Sequence, residues 1–169
     1  LVVKKYWETY RNTDLGFELK YPPHWQIHDN IASDGAKYIV ARWDFPDITD
    51  TDLVPYSADP RYIVDFSILI SDKPQDLSKI DTRVFPNWKR VGKINNTLVD
   101  GEKAVEATLE LNNDTDREVS ISYEHDYYEK AIFFNHNGRA FSIFFYTTSD
   151  GEYSDEEFLQ MLASLKFLD

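Results

Sequence analysis

Apolar residues return at every second position through much of this chain. That periodicity directs it towards a fold built on β-strands, because extended backbone sends alternate side chains to opposite faces. Tyr62, Val64, Phe66, Ile68 and Ile70 are apolar, while Asp65, Ser67 and Ser71 interrupt the other face. Val105, Ala107, Leu109 and Leu111 repeat the pattern against Glu106, Thr108 and Glu110. Val119, Ile121 and Tyr123 repeat it against Ser120, Ser122 and Glu124. The turn-formers from Asn112 to Asp116 separate these last two stretches and predict a hairpin between them. Further strands are expected at Phe17, Leu19 and Tyr21, where Pro22-Pro23 ends the run, and at Ile39, Ala41 and Trp43.

The most apolar stretch runs from Tyr128 to Thr148 and predicts a second hairpin, with Asn137-Gly138 supplying the positive backbone angles of a tight turn. Phe141, Ile143 and Phe145 fill one face of its second arm, and Ala140, Phe144 and Tyr146 fill much of the other. An arm apolar on both faces belongs at the centre of a sheet with material on each side. Only one clear helix is expected, near the C-terminus. Ser154-Asp155-Glu156-Glu157 has the form of a capping box, and Phe158, Met161, Leu162 and Leu165 then share a helical face. A shorter helical turn is predicted from Asp76 to Ile80.

With 169 residues the chain is expected to form a single domain over 1–169. Its 30 acids against 18 bases give a net charge of −12, which disfavours nucleic acid and anionic lipid as partners. The absence of cysteine excludes disulfides, thiolate catalysis and Cys-based zinc sites. No apolar run approaches the roughly twenty residues that a membrane-spanning helix needs. The chain opens at Leu1 without Met and reads as a processed or trimmed product, to which a secretory signal or lipid anchor upstream would leave no trace.

Three stretches resemble one family. Tyr10-Arg-Asn-Thr-Asp-Leu-Gly-Phe-Glu-Leu-Lys-Tyr-Pro-Pro-His-Trp25 is similar to the opening of PsbP-like domains, in which a Gly-Phe strand runs through Tyr-Pro to a Trp. Val99-Asp-Gly-Glu-Lys-Ala104 resembles the entry to that family's middle hairpin, and the stretch from Phe158 to Phe167 resembles its closing helix and last short strand. The resemblance implies an α+β fold: a central antiparallel β-sheet flanked by helices on both faces, an α/β/α sandwich. The family includes extrinsic photosystem subunits, a nuclear Ran-binding relative and exported bacterial and archaeal lipoproteins. The Tyr-Pro-x-x-Trp opening is most similar to that last group. What this implies is a non-catalytic, extracytoplasmic domain, periplasmic or on the cell surface, that binds a protein partner within a membrane-associated assembly.

Charge is unevenly distributed. Between Arg42 and Arg61 there is no Lys or Arg, but Asp44, Asp47, Asp50, Asp52 and Asp59 occur among prolines, so an acidic loop insertion is expected around 44–60. Asp47, Asp50 and Asp52 are hard oxygen donors that could serve calcium, although their spacing departs from the EF-hand. Asn112, Asp114 and Asp116 approach the EF-hand's first half, but Arg117 stands at the turn glycine and Tyr123 at the closing Glu. Lys79, Arg83, Lys89, Arg90 and Lys93 form a basic stretch suited to an acidic partner, with Trp88 among them. Trp88, with Trp43, Tyr56, Tyr127 and Tyr128, also invites a glycan-stacking reading. Calcium or small-ligand binding is therefore the alternative to a protein-binding role. Of the four histidines, His24, His28, His125 and His136, the first two straddle a strand boundary rather than share a helical face and read as loop histidines; His125, beside Glu124 and Asp126, lacks the nucleophile and oxyanion hole that a reaction requires, so no catalytic residue and no other cofactor is expected.

Overall fold

The computed structural model describes residues 6–23, 25–31, 37–43, 66–80, 88–111, 127–148 and 155–168. Strands β1 (Glu8–Asn12), β2 (Phe17–Tyr21) and β10 (Lys166–Phe167) form a small antiparallel sheet in the order β1-β2-β10. Strands β3 (Trp25–Ile31), β4 (Lys37–Trp43), β5 (Phe66–Ser71), β6 (Trp88–Val99), β7 (Glu102–Leu111), β8 (Tyr127–His136) and β9 (Arg139–Thr148) form the main one, also antiparallel. Its order is β3-β4-β5-β9-β8-β7-β6. Helix α1 (Asp155–Ser164) lies between β9 and β10 in the chain.

The apolar hairpin behaves as its sequence predicts. Strands β8 and β9 pair from Tyr127↔Thr148 to His136↔Arg139, and Asn137 and Gly138 take φ values of 46° and 77° in the turn. Neighbours on both sides, β5 and β7, make this hairpin the middle of the sheet. Phe134, Phe141, Ile143 and Phe145 are buried on one face, while Ala131, Phe133 and Phe144 are buried on the other.

The two faces are covered differently, which corrects the expected α/β/α layering. On the first face the cover is α1 together with the small sheet. Phe17, Leu19, Phe158, Met161 and Leu165 join Phe66, Phe141 and Phe145 in one core. Ser164 locks the helix end to β2: its hydroxyl accepts from the Lys20 N–H at 2.9 Å and donates to the Met161 carbonyl at 2.6 Å. Trp25, held by a turn in which its N–H donates to the Pro22 carbonyl, meets Phe158 edge-on at 5.4 Å. The Tyr-Pro-x-x-Trp opening is thus a packing device. On the second face the described residues contribute no α-helix. Of the described segments outside the sheet, the one from Asp72 to Ile80 lies there, with a turn of 3-10 helix at Leu77–Lys79. A two-sided apolar hairpin requires cover on both faces, but that requirement is blind to what the cover is made of.

Strand β7 pairs with β6 on one side and β8 on the other, and 119–123, its expected hairpin partner, lies outside the described residues. Its hairpin with β6 runs through a two-residue turn at Asp100 and Gly101 with φ of 46° and 83°. Residues 112–126, 44–65 and 154 lie outside the described residues, and with them the acidic insertion, Tyr62, Val64 and the start of the capping box.

Phe145→Ala removes a ring stacked near Phe66 and Phe158 and is expected to lower unfolding free energy by about 3–5 kcal/mol, read from urea titration. The small sheet adds a pH dependence. Burial raises the Tyr10 hydroxyl above its ordinary 10.0, and burial followed by the bond to Glu8 raises that of Tyr21. A raised folded-state pKa contributes stability fully present below pH 10, and lost as pH climbs through the folded-state values. Replacing both tyrosines by Phe should flatten the alkaline limb of the stability profile; an unchanged limb would contradict this assignment.

Candidate functional site: a cation-rimmed groove on the second face

Among the described residues, a groove of about 360 Å³ lies on the second face between the sheet and the segment from Ser71 to Ile80. Leu69, Phe133, Ala140 and Phe144 line its apolar side, and Ser71 and Ser142 add hydroxyls. Gln75, Asp76 and Ile80 line the opposite wall together with Lys73 and Lys79.

This wall is held by a reciprocal clamp. The Gln75 N–H donates to Asn135 Oδ1 at 2.9 Å, and Asn135 Nδ2 returns a bond to the Gln75 carbonyl at 2.8 Å. Gln75 Nε2 also donates to the carbonyls of Phe134 and Phe141, at 3.3 and 3.1 Å. Asp76 then starts the 3-10 turn, its carboxylate accepting from the Ser78 N–H at 3.0 Å and the Ser78 hydroxyl at 2.6 Å. Those bonds, with Lys79 at 3.6 Å, hold its carboxyl below the usual 3.8. Leu77 and Ile80 pack on the second-face cluster, and so does Ile94 of β6. Lys73 and Lys79 line the groove's rim, while Lys93 is exposed on β6 and does not line it.

Of the other residues in the basic stretch, Arg83 lies outside the described residues. Trp88, Lys89 and Arg90 are placed by their backbone on β6, opposite Leu111, Glu110 and Leu109. The calcium candidates Asp47, Asp50 and Asp52, with Asn112, Asp114 and Asp116, fall outside the described residues, as do Tyr56, His24 and His125. Among the described residues no group of three or more His, Asp or Glu is arranged to hold a metal ion.

His136 is no solvent-facing loop histidine. Its ring stacks on Phe167 at 3.5 Å, Nδ1 lies 2.8 Å from Glu102 Oε1, and Nε2 accepts from Asn137 Nδ2 at 3.0 Å. With Nε2 accepting, Nδ1 carries the proton donated to Glu102. Both nitrogens are committed to structural bonds that tie the two hairpin turns to β10.

Sequence reasoning missed Lys73, Gln75 and Asn135. The signal for Gln75 was the Pro74-Gln75-Asp76 break before the predicted turn; nothing local marks Asn135 as its partner, 60 residues away.

No protein-family model matches the chain, and no curated protein matches it in sequence. Solved structures do. The chain is similar to cyanobacterial PsbP (CyanoP) from Synechocystis sp. PCC 6803, with TM-score 0.55 and 16% identity over 98% of this chain and 95% of that one. A protein of Bacteroides thetaiotaomicron VPI-5482 gives TM-score 0.52 and 11% identity over 96% of this chain and 48% of its own, so this chain spans about half its length. The Saccharomyces cerevisiae Ran-binding protein Mog1p gives TM-score 0.47 and 10% identity over 98% and 97%. The fold is PsbP-like. At such identities the similarity concerns the fold alone.

Asn135→Ala is expected to cost about 1–3 kcal/mol and to raise amide exchange through 72–80 ahead of the sheet. A lowered folded-state pKa gives stability present above pH 3.8 and lost as pH falls, so Asp76→Asn should remove part of the acid dependence of that local exchange.

Proposed function

We propose that this chain is a non-catalytic protein-binding domain, an accessory subunit of an extracytoplasmic, membrane-associated assembly. The cation-rimmed groove carries the reading. It places a preformed apolar surface beside Lys73 and Lys79 on a protein whose net charge is −12. Lys73 has no carboxylate partner among the described residues, and Lys79 is exposed beside Asp76. An acidic partner meets long-range repulsion over most of this protein and local attraction at the groove, which favours one docking orientation. Apolar contact with the partly exposed Leu69 and Ile80 then supplies burial that rim charges alone do not.

The exported setting is supported by the similarity of the Tyr10 to Trp25 motif to exported PsbP-like proteins, and a lipid anchor upstream fits it. Among the described residues no helix is long and apolar enough to cross a membrane, so membrane association by the described part would run through a partner or an anchor.

The test is crosslinking in the native host from a photoreactive residue placed at position 73, with cell fractionation and mass spectrometry of the adducts. A defined neighbour in an extracytoplasmic membrane fraction is expected. Lys73→Glu with Lys79→Glu should reduce retention of that neighbour about tenfold at low salt, because rim charges govern approach and orientation. Recovery of the protein without partners, or retention indifferent to both reversals, would sink the reading.

A further inference from the structure

Strand β6 ends the main sheet, and its register with β7 determines which of its backbone groups face outwards. Val99 and Glu102 bracket the two-residue turn, so they exchange hydrogen bonds. The next pair, Leu98 and Lys103, must then turn its N–H and C=O groups away from each other, and Asn96 repeats the arrangement of Leu98. Asn96 and Leu98 thus present donors and acceptors along an edge that no strand covers among the described residues. Further back, the register shifts between Val91 and Asn95, where Gly92 has φ of 74°. That bulge blunts the edge there and leaves Asn95–Val99 as its regular part.

The side chains give this edge a charge preference. Leu98 is 67% exposed, and its cross-strand neighbour Lys103 shares its face. Among the described residues the nearby carboxylates each have a partner within the chain: Asp100, exposed, accepts the Phe167 N–H at 2.8 Å, Glu102 holds His136, and Glu106 lies 3.9 Å from Lys130. Lys93 and Lys103 are exposed with no carboxylate partner among the described residues. An acidic protein therefore carries unpaired cations on both flanks of its open edge.

We propose that the Asn95–Val99 edge of β6 receives an extended acidic segment of a partner protein as an added strand. The segment's backbone bonds to Asn96 and Leu98, an apolar side chain covers Leu98, and carboxylates meet Lys93 and Lys103. Backbone bonds supply affinity, and the flanking charges select the sequence. The inference rests on the protein-binding reading and names a surface separate from the groove.

The probe is an acetylated, amidated peptide of alternating Glu and Val, with its Lys and Val counterpart as control, added to the full chain at low salt. The acidic peptide should slow amide exchange at Asn96 and Leu98, with protection fading as salt rises. Leu98→Pro deletes an outward donor that makes no bond to β7 and should abolish the protection. Lys93→Glu with Lys103→Glu, which leaves the backbone intact, should weaken the acidic peptide about tenfold and shift preference to the basic one. Equal protection by both peptides, none by either, or protection indifferent to the charge reversals overturns the proposal. So does sedimentation showing a dimer that Leu98→Pro dissolves, since the edge would then be a contact between copies. Native-partner retention that still responds to Lys73→Glu and Lys79→Glu when the peptide fails would confine the failure to this edge.

Discussion

The structure depends on burying the β8–β9 hairpin from both sides. Phe134, Phe141 and Phe145 point into one core, and Phe133 and Phe144 into another, so neither face of the hairpin can be left to water. Each aromatic side chain buries an area worth about 1.5–3 kcal/mol in transfer terms, and several stand here side by side. Central placement follows, since a strand apolar on both faces is stable only where neighbours and layers shield it. Strands β5 and β7 supply the neighbours. The layers come from opposite ends of the chain on the first face, where β1 and β2 meet α1 and β10.

That first face is closed by contacts that span the sequence. Ser164 is bonded to Lys20, and the Leu168 N–H donates to the Gly16 carbonyl at 2.8 Å, so the last residues of the domain complete what the first begin. Phe167 belongs to the same closure: it meets Phe134 and Phe141, stacks on His136 and donates its N–H to Asp100. The two hairpin turns and β10 are therefore one structural unit, and the partly buried His136 joins them. A side chain with chemical potential is occupied by architecture.

How much of this was legible in the sequence follows from where the signal comes from. Alternation reports burial on one face, so β2, β5, β7 and β9, whose core faces are continuous, stood out. Asn137-Gly138 marked its turn because that conformation favours those residues. Helix α1 showed itself by the spacing of Phe158, Met161 and Leu165. Strand β6 did not, because its regular part exposes Asn95, Asn96 and Leu98, and its bulge at Gly92 breaks whatever period remained. It read instead as a run of cations. Strand β1, mostly exposed, gave no period for the same reason. The α/β/α layering came with the family resemblance, and two-sided apolarity, which demands cover without specifying helix, could not correct it; the Gln75–Asn135 clamp was invisible because a bond between distant polar residues leaves no periodic trace.

The groove and the open edge share one origin. Among the described residues most of the covering layers lie on the first face, which they close tightly, and few lie on the second. On the second face a wall pinned by Gln75 and a 3-10 turn is enough to shield the centre of Phe133 and Phe144, yet too short to fill the space over Leu69 and Ala140. At the sheet's end, the turn at Asp100 and Gly101 spends its carboxylates on β10 and His136. That use of acid leaves Lys93 and Lys103 without carboxylate partners among the described residues, in a chain with an excess of negative charge. The same bonds that close the first face thus set the sign of the surface at the β6 edge. Loosening the β10 contacts would release Asp100 and Glu102, already at the surface, to pair with Lys103 and erode the edge's preference for an acidic strand, coupling the integrity of the first core to recognition at a site it does not touch.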